Sequence, residues 1–212
     1  MKSFPQTETT FLLQGPAGNL EVLATPIAEN TTQKSAIAII CHPHPLHGGT
    51  MTNKVVTTLA RAFRDIGLRT VRFNFRGVGK SEGSYAEGIG ETDDLLAVVK
   101  WVKEVFPDTD IWLAGFSFGS CVAIRAATMI PVAQLVCIAP PVSRFDLAGL
   151  PPVTCPWLII QGDQDEVVVP EEVFAWAENL NPPPTLIRMQ GAGHFFHGRL
   201  LELRDILEVA LA

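Results

Sequence analysis

The sequence predicts an α/β fold: a mostly parallel twisted sheet of about eight strands, helices on both faces, and an antiparallel N-terminal edge. Continuous apolar runs such as Ser35–Cys41, SAIAIIC, suit strands buried on both faces. Stretches with apolar residues at helical spacing follow these runs in alternation, which calls for right-handed crossovers and parallel neighbours. Two extended runs joined at Gly15–Gly18 open the chain as a hairpin and supply the antiparallel edge.

TTFLLQGPAGNLEVLATPI is that hairpin, and Ser35–Cys41 is the first buried strand. NKVVTTLARAFRDIG is a helix closed by Gly67. LRTVRFNF, Leu68–Phe75, is the next strand. After a glycine-rich loop, Glu91–Phe106 reads as a helix with acidic residues in its first turn, where the helix dipole favours them. Asp110–Phe116 is a strand, and FGSCVAIRAATMI is a helix halted by Pro131. AQLVCIAP and PWLIIQG continue the strands, and a helix spans about Pro170 to Asn179. TLIRMQG is the last strand, and Gly198–Ala212 is an amphipathic C-terminal helix. There is no internal repeat, and the Leu150-Pro-Pro and Asn181-Pro-Pro-Pro stretches read as loops, so residues 1–212 are expected to form one domain.

Composition narrows the function classes. Sixteen basic against 22 acidic residues give a net charge of −6 with no basic stripe, which argues against a nucleic-acid partner. No apolar run reaches the ~18 residues of a membrane span, and the N-terminal FLL is too short for a secretory signal, so a cytoplasmic protein with no membrane partner is expected. Cys41, Cys121, Cys137 and Cys155 are scattered among apolar residues without zinc-ligand spacing, and read as buried free thiols of a reducing compartment. An apolar face on the last helix leaves monomer and homodimer both open.

Ligands of such sheets bind beyond the carboxyl ends of the strands, so the chemistry belongs in the loops that follow them. Gly115-Phe116-Ser117-Phe118-Gly119 fits G-x-S-x-G between a strand and a helix. That turn lifts a serine above the sheet and aims the helix N-terminus at the place where negative charge develops. A serine nucleophile needs a base oriented by a carboxylate. His194 lies in GAGHFFHG after the last strand, with His197 the weaker choice nearer the helix. QGDQDEVVVP, Gln161–Pro170, offers Asp163, Asp165 and Glu166, which lie between Ser117 and His194 in the chain, the Ser…Asp…His order expected where such a turn follows a parallel strand. An oxyanion needs two N–H donors: Phe118 follows the nucleophile, and in HPHPLHGG Pro43 and Pro45 have no N–H, leaving His44 and Leu46. His42 and His44 would point to opposite sides of an extended stretch, so no metal is expected there. Arg76-Gly-Val-Gly-Lys-Ser lacks the glycine spacing of a phosphate loop and reads as structural, with Arg76 pairing Asp93 or Asp94. Cys121, one turn past Ser117, reads as core.

CHPHPLHGGTMTNKVV, FNFRGVGKSEG, GFSFGS, GDQDEVV and GAGHFFHG together resemble the α/β-hydrolase superfamily, and within it the small capless bacterial hydrolases near the dienelactone-hydrolase and esterase families. The likeness covers nearly the whole chain. It implies a Ser117–His194–Asp165 triad, because the family's G-x-x-D-x-x-V pattern falls on Gly162, Asp165 and Val168, and it favours His44 as the second oxyanion donor. It further implies hydrolysis of a small acyl substrate through an acyl-serine intermediate with no cofactor; a peptidase or thioesterase on the same triad, or a binding protein that kept the fold, are the alternatives. Pro140–Cys155 is too short for a cap domain, so an open, shallow site is expected, with Phe116, Phe118, Phe195 and Phe196 as apolar substrate contacts.

Overall fold

The computed structural model describes residues 3–29, 31–147 and 149–212. These residues form one eight-stranded sheet in the order β1-β2-β4-β3-β5-β6-β7-β8. β1 (Thr9–Gly15) and β2 (Gly18–Thr25) make the expected hairpin, and β2 also pairs antiparallel with β4 (Arg69–Phe73). From there all pairings are parallel: β4 with β3 (Ala36–Cys41), β3 with β5 (Asp110–Phe116), then β6 (Gln134–Ile138), β7 (Trp157–Gly162) and β8 (Thr185–Met189). The chain leaves β3 toward β4 and then crosses to the other side of β3 to lay down β5. The crevice at that reversal, beyond the carboxyl ends of β3 and β5, is where such sheets bind ligands.

Alternation along the buried strands feeds two cores. Ile37, Ile39 and Cys41 of β3 join one core, which is closed by α2 (Ile89–Val105), α3 (Phe118–Ala127) and α4 (Pro170–Glu178). Ala36, Ala38 and Ile40 join the other, closed by α1 (Lys54–Asp65) and α5 (Leu200–Leu211). A strand flanked by two cores needs apolar residues on both faces, hence the unbroken SAIAIIC run.

Two helix ends differ from expectation. α2 starts at Ile89 rather than Glu91, because the buried Glu91 carboxylate takes the N–H groups of Ala86 and Gly88 at 2.8 and 2.7 Å and so sits at the third helical position. α3 ends at Ala127 rather than running to Ile130. The residue before a proline is disfavoured in the helical region, and Thr128 Oγ1 takes part in the turn by donating to the Arg125 carbonyl at 2.8 Å. Between β6 and β7 the described residues form turns without helix or strand, so no cap covers the carboxyl edge.

Candidate active site

Ser117 sits between the end of β5 and the start of α3, with φ 52° and ψ −122°. The turn closes only because its flanking glycines lack side chains: a Cβ at Gly115 would run into the Gly119 backbone, and one at Gly119 into the Cys41 carbonyl. Ser117 N–H donates to the Ile138 carbonyl at 2.8 Å, tying the turn to β6. Among the described residues, the non-glycine residues with positive φ are Glu87, Ser117, Ala139 and Phe196, all in loops at this edge of the sheet. Each such conformation costs about 1–3 kcal/mol, and that strain is concentrated where the surrounding packing holds a site in shape.

The loops after β7 and β8 bring a carboxylate and an imidazole to the serine. His194 Nε2 lies 3.1 Å from Ser117 Oγ, and His194 Nδ1 lies 2.8 Å from Asp165 Oδ2. Since Asp165 is an acceptor at Nδ1, that nitrogen carries the proton and Nε2 presents its lone pair to Ser117. Asp165 is the acid that reaches the histidine. Its Oδ1 accepts the Val167 and Val168 N–H groups at 2.8 and 2.7 Å, and its Oδ2 also accepts Gln161 Nε2 at 2.9 Å. Burial pushes its pKa up, but the His194 ring and the Val168 and Val167 amides outweigh burial and hold it below the usual carboxylate value. Asp163 instead serves the backbone, where its Oδ1 accepts the Gly191 N–H at 2.6 Å and closes the loop. Glu166 anchors the other strand of that loop, accepting the His194 N–H at 3.1 Å. His197 is exposed and outside this chain of contacts.

The loop after β3 faces the serine from the other side. His42 is fully buried; its Nε2 accepts the Phe75 N–H at 3.0 Å, which leaves Nδ1 protonated to donate to the Pro43 carbonyl at 2.6 Å. A trans peptide carries its C=O and N–H on opposite edges, so pinning the Pro43 carbonyl fixes the His44 N–H the other way. The Leu46 N–H is already used, donating to His44 Nδ1 at 3.2 Å. The His44 and Phe118 N–H groups donate to no protein acceptor among the described residues. On the neighbouring loop, Arg76 forks onto the buried Asp94 carboxylate at 2.7–3.2 Å, the second of the two partners considered for it.

These loops enclose a cavity of about 590 Å³ that reaches Ser117 and His194. Tyr85, Phe118, Phe145, Val167 and Phe195 form much of its apolar wall. His44, Tyr85 and Phe145 rings pack around Phe118 at 5.0–5.9 Å between centroids. The short segment after β6 contributes Pro141, Arg144 and Phe145 to the lining of the cavity.

A family model for the α/β hydrolase fold matches residues 46–151. An uncharacterised protein of Rickettsia prowazekii is 35% identical over 192 residues, 86% of this chain and 79% of its own. An α/β serine hydrolase homologue from Coxiella burnetii superposes with a TM-score of 0.95 at 54% identity, covering 99% of this chain and 100% of that one. A structure from Xanthomonas campestris, described as an α/β serine hydrolase without lid, gives 0.96 at 45% identity, over 99% and 95% of the two chains. This chain belongs to the α/β-hydrolase family.

Two expected substrate contacts of this α/β-hydrolase are corrected by the structure. Phe116 and Phe196 are fully buried in the core under α1 and α5 and do not line the cavity. Phe116 has the strand parity of Ala114, which faces that core, and its ring lies 5.0 Å from the His194 ring as a floor beneath it. Phe195 is 39% exposed and does line the cavity, because positive φ at Phe196 turns the second phenylalanine of the pair inward. Cys121 is buried and its thiol is pushed well up by burial, as a core residue's would be. Cys41 and Cys137 are buried likewise, whereas Cys155 is half-buried. Tyr85 and Phe145 carry no sequence signal for their places here, since each contributes through contacts distant along the chain; Gln161 reaches Asp165 only four residues on, and Glu166, one of the three acids considered, holds the His194 backbone instead.

Proposed function

We propose that the protein is a serine hydrolase that cleaves a small ester or related acyl bond through an acyl-serine intermediate. The observation that carries this is the unbroken line from Asp165 Oδ2 to His194 at 2.8 Å and from His194 to Ser117 Oγ at 3.1 Å, opening into a cavity. The serine-hydrolase descriptions of the Coxiella and Xanthomonas relatives, at 54% and 45% identity, support it.

In this reading, Ser117 Oγ attacks the acyl carbon while its proton passes to His194 Nε2. The carbonyl electrons move onto oxygen, and the His44 and Phe118 N–H groups receive that oxyanion. Collapse breaks the bond to the leaving group, to which His194 returns the proton. Water then repeats the sequence on the acyl-serine and releases the acid. Asp165 stays ionised, holds the imidazole in its tautomer and stabilises the imidazolium. The apolar wall of Tyr85, Phe118, Phe145 and Phe195 suits the acyl or alcohol part of a small ester. The buried free thiols suit a reducing compartment such as the cytoplasm.

The test is labelling with a fluorophosphonate, with the adduct located by mass spectrometry. The expected result is modification at Ser117 alone, absent from Ser117→Ala, together with a fall in short-chain p-nitrophenyl ester turnover of at least about a thousandfold in that variant. Ester hydrolysis unchanged in a folded Ser117→Ala protein would overturn the reading.

A further inference from the structure

Away from the active site, where α1 meets β4 near the sheet edge, a second cavity of about 210 Å³ is lined by Glu8, Thr25, Thr57, Ala60, Arg61, Arg64 and Arg72. Its lining carries three guanidinium groups against one carboxylate. Arg72 projects from β4 on the same face as Thr70, with its side chain 10% exposed. Its Nη1 donates to the Met51 carbonyl at 3.2 Å, and its Nη2 is 3.7 Å from Glu8 Oε2. Its Nε–H is buried and has no acceptor among the described residues, and the Thr70 hydroxyl is equally unpaired.

A buried donor without a partner costs about 1–3 kcal/mol, more for a charged group, so its persistence calls for a reason. Arg64 commits only Nε, to the Pro26 carbonyl at 2.8 Å, and Arg61 makes no hydrogen bond or ion pair among the described residues. Burial lowers the Arg72 pKa; Glu8 acts against this, and Arg61 and Arg64 add to it. The three cations therefore repel one another around a space whose lining carries a single carboxylate. Glu8 counters them only in part: it is 56% exposed along its side chain and shares its Oε2 with the Thr25 hydroxyl at 3.0 Å.

We propose that this cavity is a binding site for a phosphate-sized oxyanion, held by Arg61, Arg64 and Arg72. A guanidinium offers five N–H donors in a planar fork that matches phosphoryl oxygens in pairs. The Thr25 and Thr57 hydroxyls also line the cavity but already donate, to Glu8 Oε2 and to the Lys54 carbonyl, each at 3.0 Å, so the donors for the anion come from the guanidinium groups. A water occupies ~30 Å³ of liquid, so the space takes a tetrahedral anion with a few waters or the phosphoryl end of a small phosphomonoester. The site is separate from Ser117, and nothing in the acyl-transfer chemistry uses it.

Isothermal titration calorimetry with inorganic phosphate and, in parallel, glycerol 3-phosphate tests this, at pH 7.5 and constant ionic strength set with chloride. Saturable binding of at least one ligand to the wild-type protein is expected. Arg61→Gln, which removes an exposed side chain with no structural partner, should weaken it at least about fivefold, and Arg61→Gln/Arg64→Gln at least about twentyfold. Glu8→Gln should tighten it severalfold by removing the competing carboxylate. Phosphate binding alone would identify a free-ion site; binding of glycerol 3-phosphate as well, or in preference, would identify a phosphomonoester site. No saturable heat with either ligand, or an affinity unchanged in Arg61→Gln and the double variant, overturns the proposal.

Discussion

His42 and His194 are both buried, at 0% and 2% exposure, and both sit in loops just past the carboxyl end of a strand, yet they have opposite characters. Both ring nitrogens of His42 are spent on backbone, the Phe75 N–H and the Pro43 carbonyl. His194 instead has one nitrogen on a carboxylate and the other on a hydroxyl. A ring locked between an N–H and a C=O gains nothing from a second proton. Burial accordingly pulls the His42 pKa down to about 4 and keeps the ring neutral, a fixed strut. A ring beside an ionised carboxylate can accept a proton and be stabilised while it holds it. Burial is common to the two; what the partners can do with a proton separates them.

The sharpest way to break this contrast is to remove each ring in turn. His194→Ala should lower kcat/KM for a p-nitrophenyl ester by about 10⁴-fold or more, while the melting temperature stays within a few degrees of wild type. His42→Ala should act on both quantities. It strands the Phe75 N–H and the Pro43 carbonyl in the core, costing about 2–4 kcal/mol of stability, and it frees the peptide that aims the His44 N–H. Thermal unfolding should fall by roughly 5–15 °C, and kcat by about ten- to a hundredfold with KM little changed. A His42→Ala enzyme with full kcat would show that the strut does not position the oxyanion donor.

The next effect is on pH. His42 has its ordinary pKa of 6.5 in the unfolded chain and about 4 in the native protein. Between those values the unfolded state binds a proton that the native state refuses, so stability falls as pH drops from 6.5 and the loss levels off near 4. The difference in pKa corresponds to about 3 kcal/mol at the acid end. Asp165 acts in a lower window: with its pKa held below 3.8, its contribution is complete above that value and is lost only on further acidification. Urea unfolding of wild type and His42→Gln between pH 7 and 4 measures this directly. The wild-type curve should lose stability more steeply, and parallel curves would contradict a neutral, buried His42.

The same contrast marks what could be read from the sequence. The parallel sheet and the turn around Ser117 were legible because they rest on local patterns, apolar runs and glycines that permit close backbone approach; the loops after strands offered His194 and three acids, and the choice of Asp165 among them came from the family resemblance rather than from any local pattern. The role of His42 was not legible, since its partner Phe75 lies 33 residues away. The two buried phenylalanines failed for a different reason. Phe116 and Phe196 adjoin site residues in sequence, but strand parity and a positive φ turn them into the core. Adjacency along the chain says little about direction when the backbone alternates. The arginine cavity combines Glu8, a helix face and β4, and no short stretch contains its charge pattern.

Gln161 provides the smallest and most discriminating variant. It is fully buried on β7, its Nε2 donates to Asp165 Oδ2 at 2.9 Å and to the Gly162 carbonyl at 3.1 Å, and its Oε1 has no donor among the described residues. The amide orientation follows from chemistry, because reversing it would press a carbonyl oxygen against the carboxylate. Gln161→Leu removes one of four donors to Asp165 and at the same time eliminates the unpaired oxygen, which costs free energy to bury. Stability should therefore change by less than about 1 kcal/mol, while kcat falls by about three- to tenfold as the carboxylate loses part of its alignment to His194. Gln161→Glu should do much worse, setting a second carboxylate against Asp165 Oδ2 and raising the pKa of the pair. If Gln161→Leu and Gln161→Glu slowed the ester reaction equally, Gln161 would be filling space beside Asp165 rather than holding it in place.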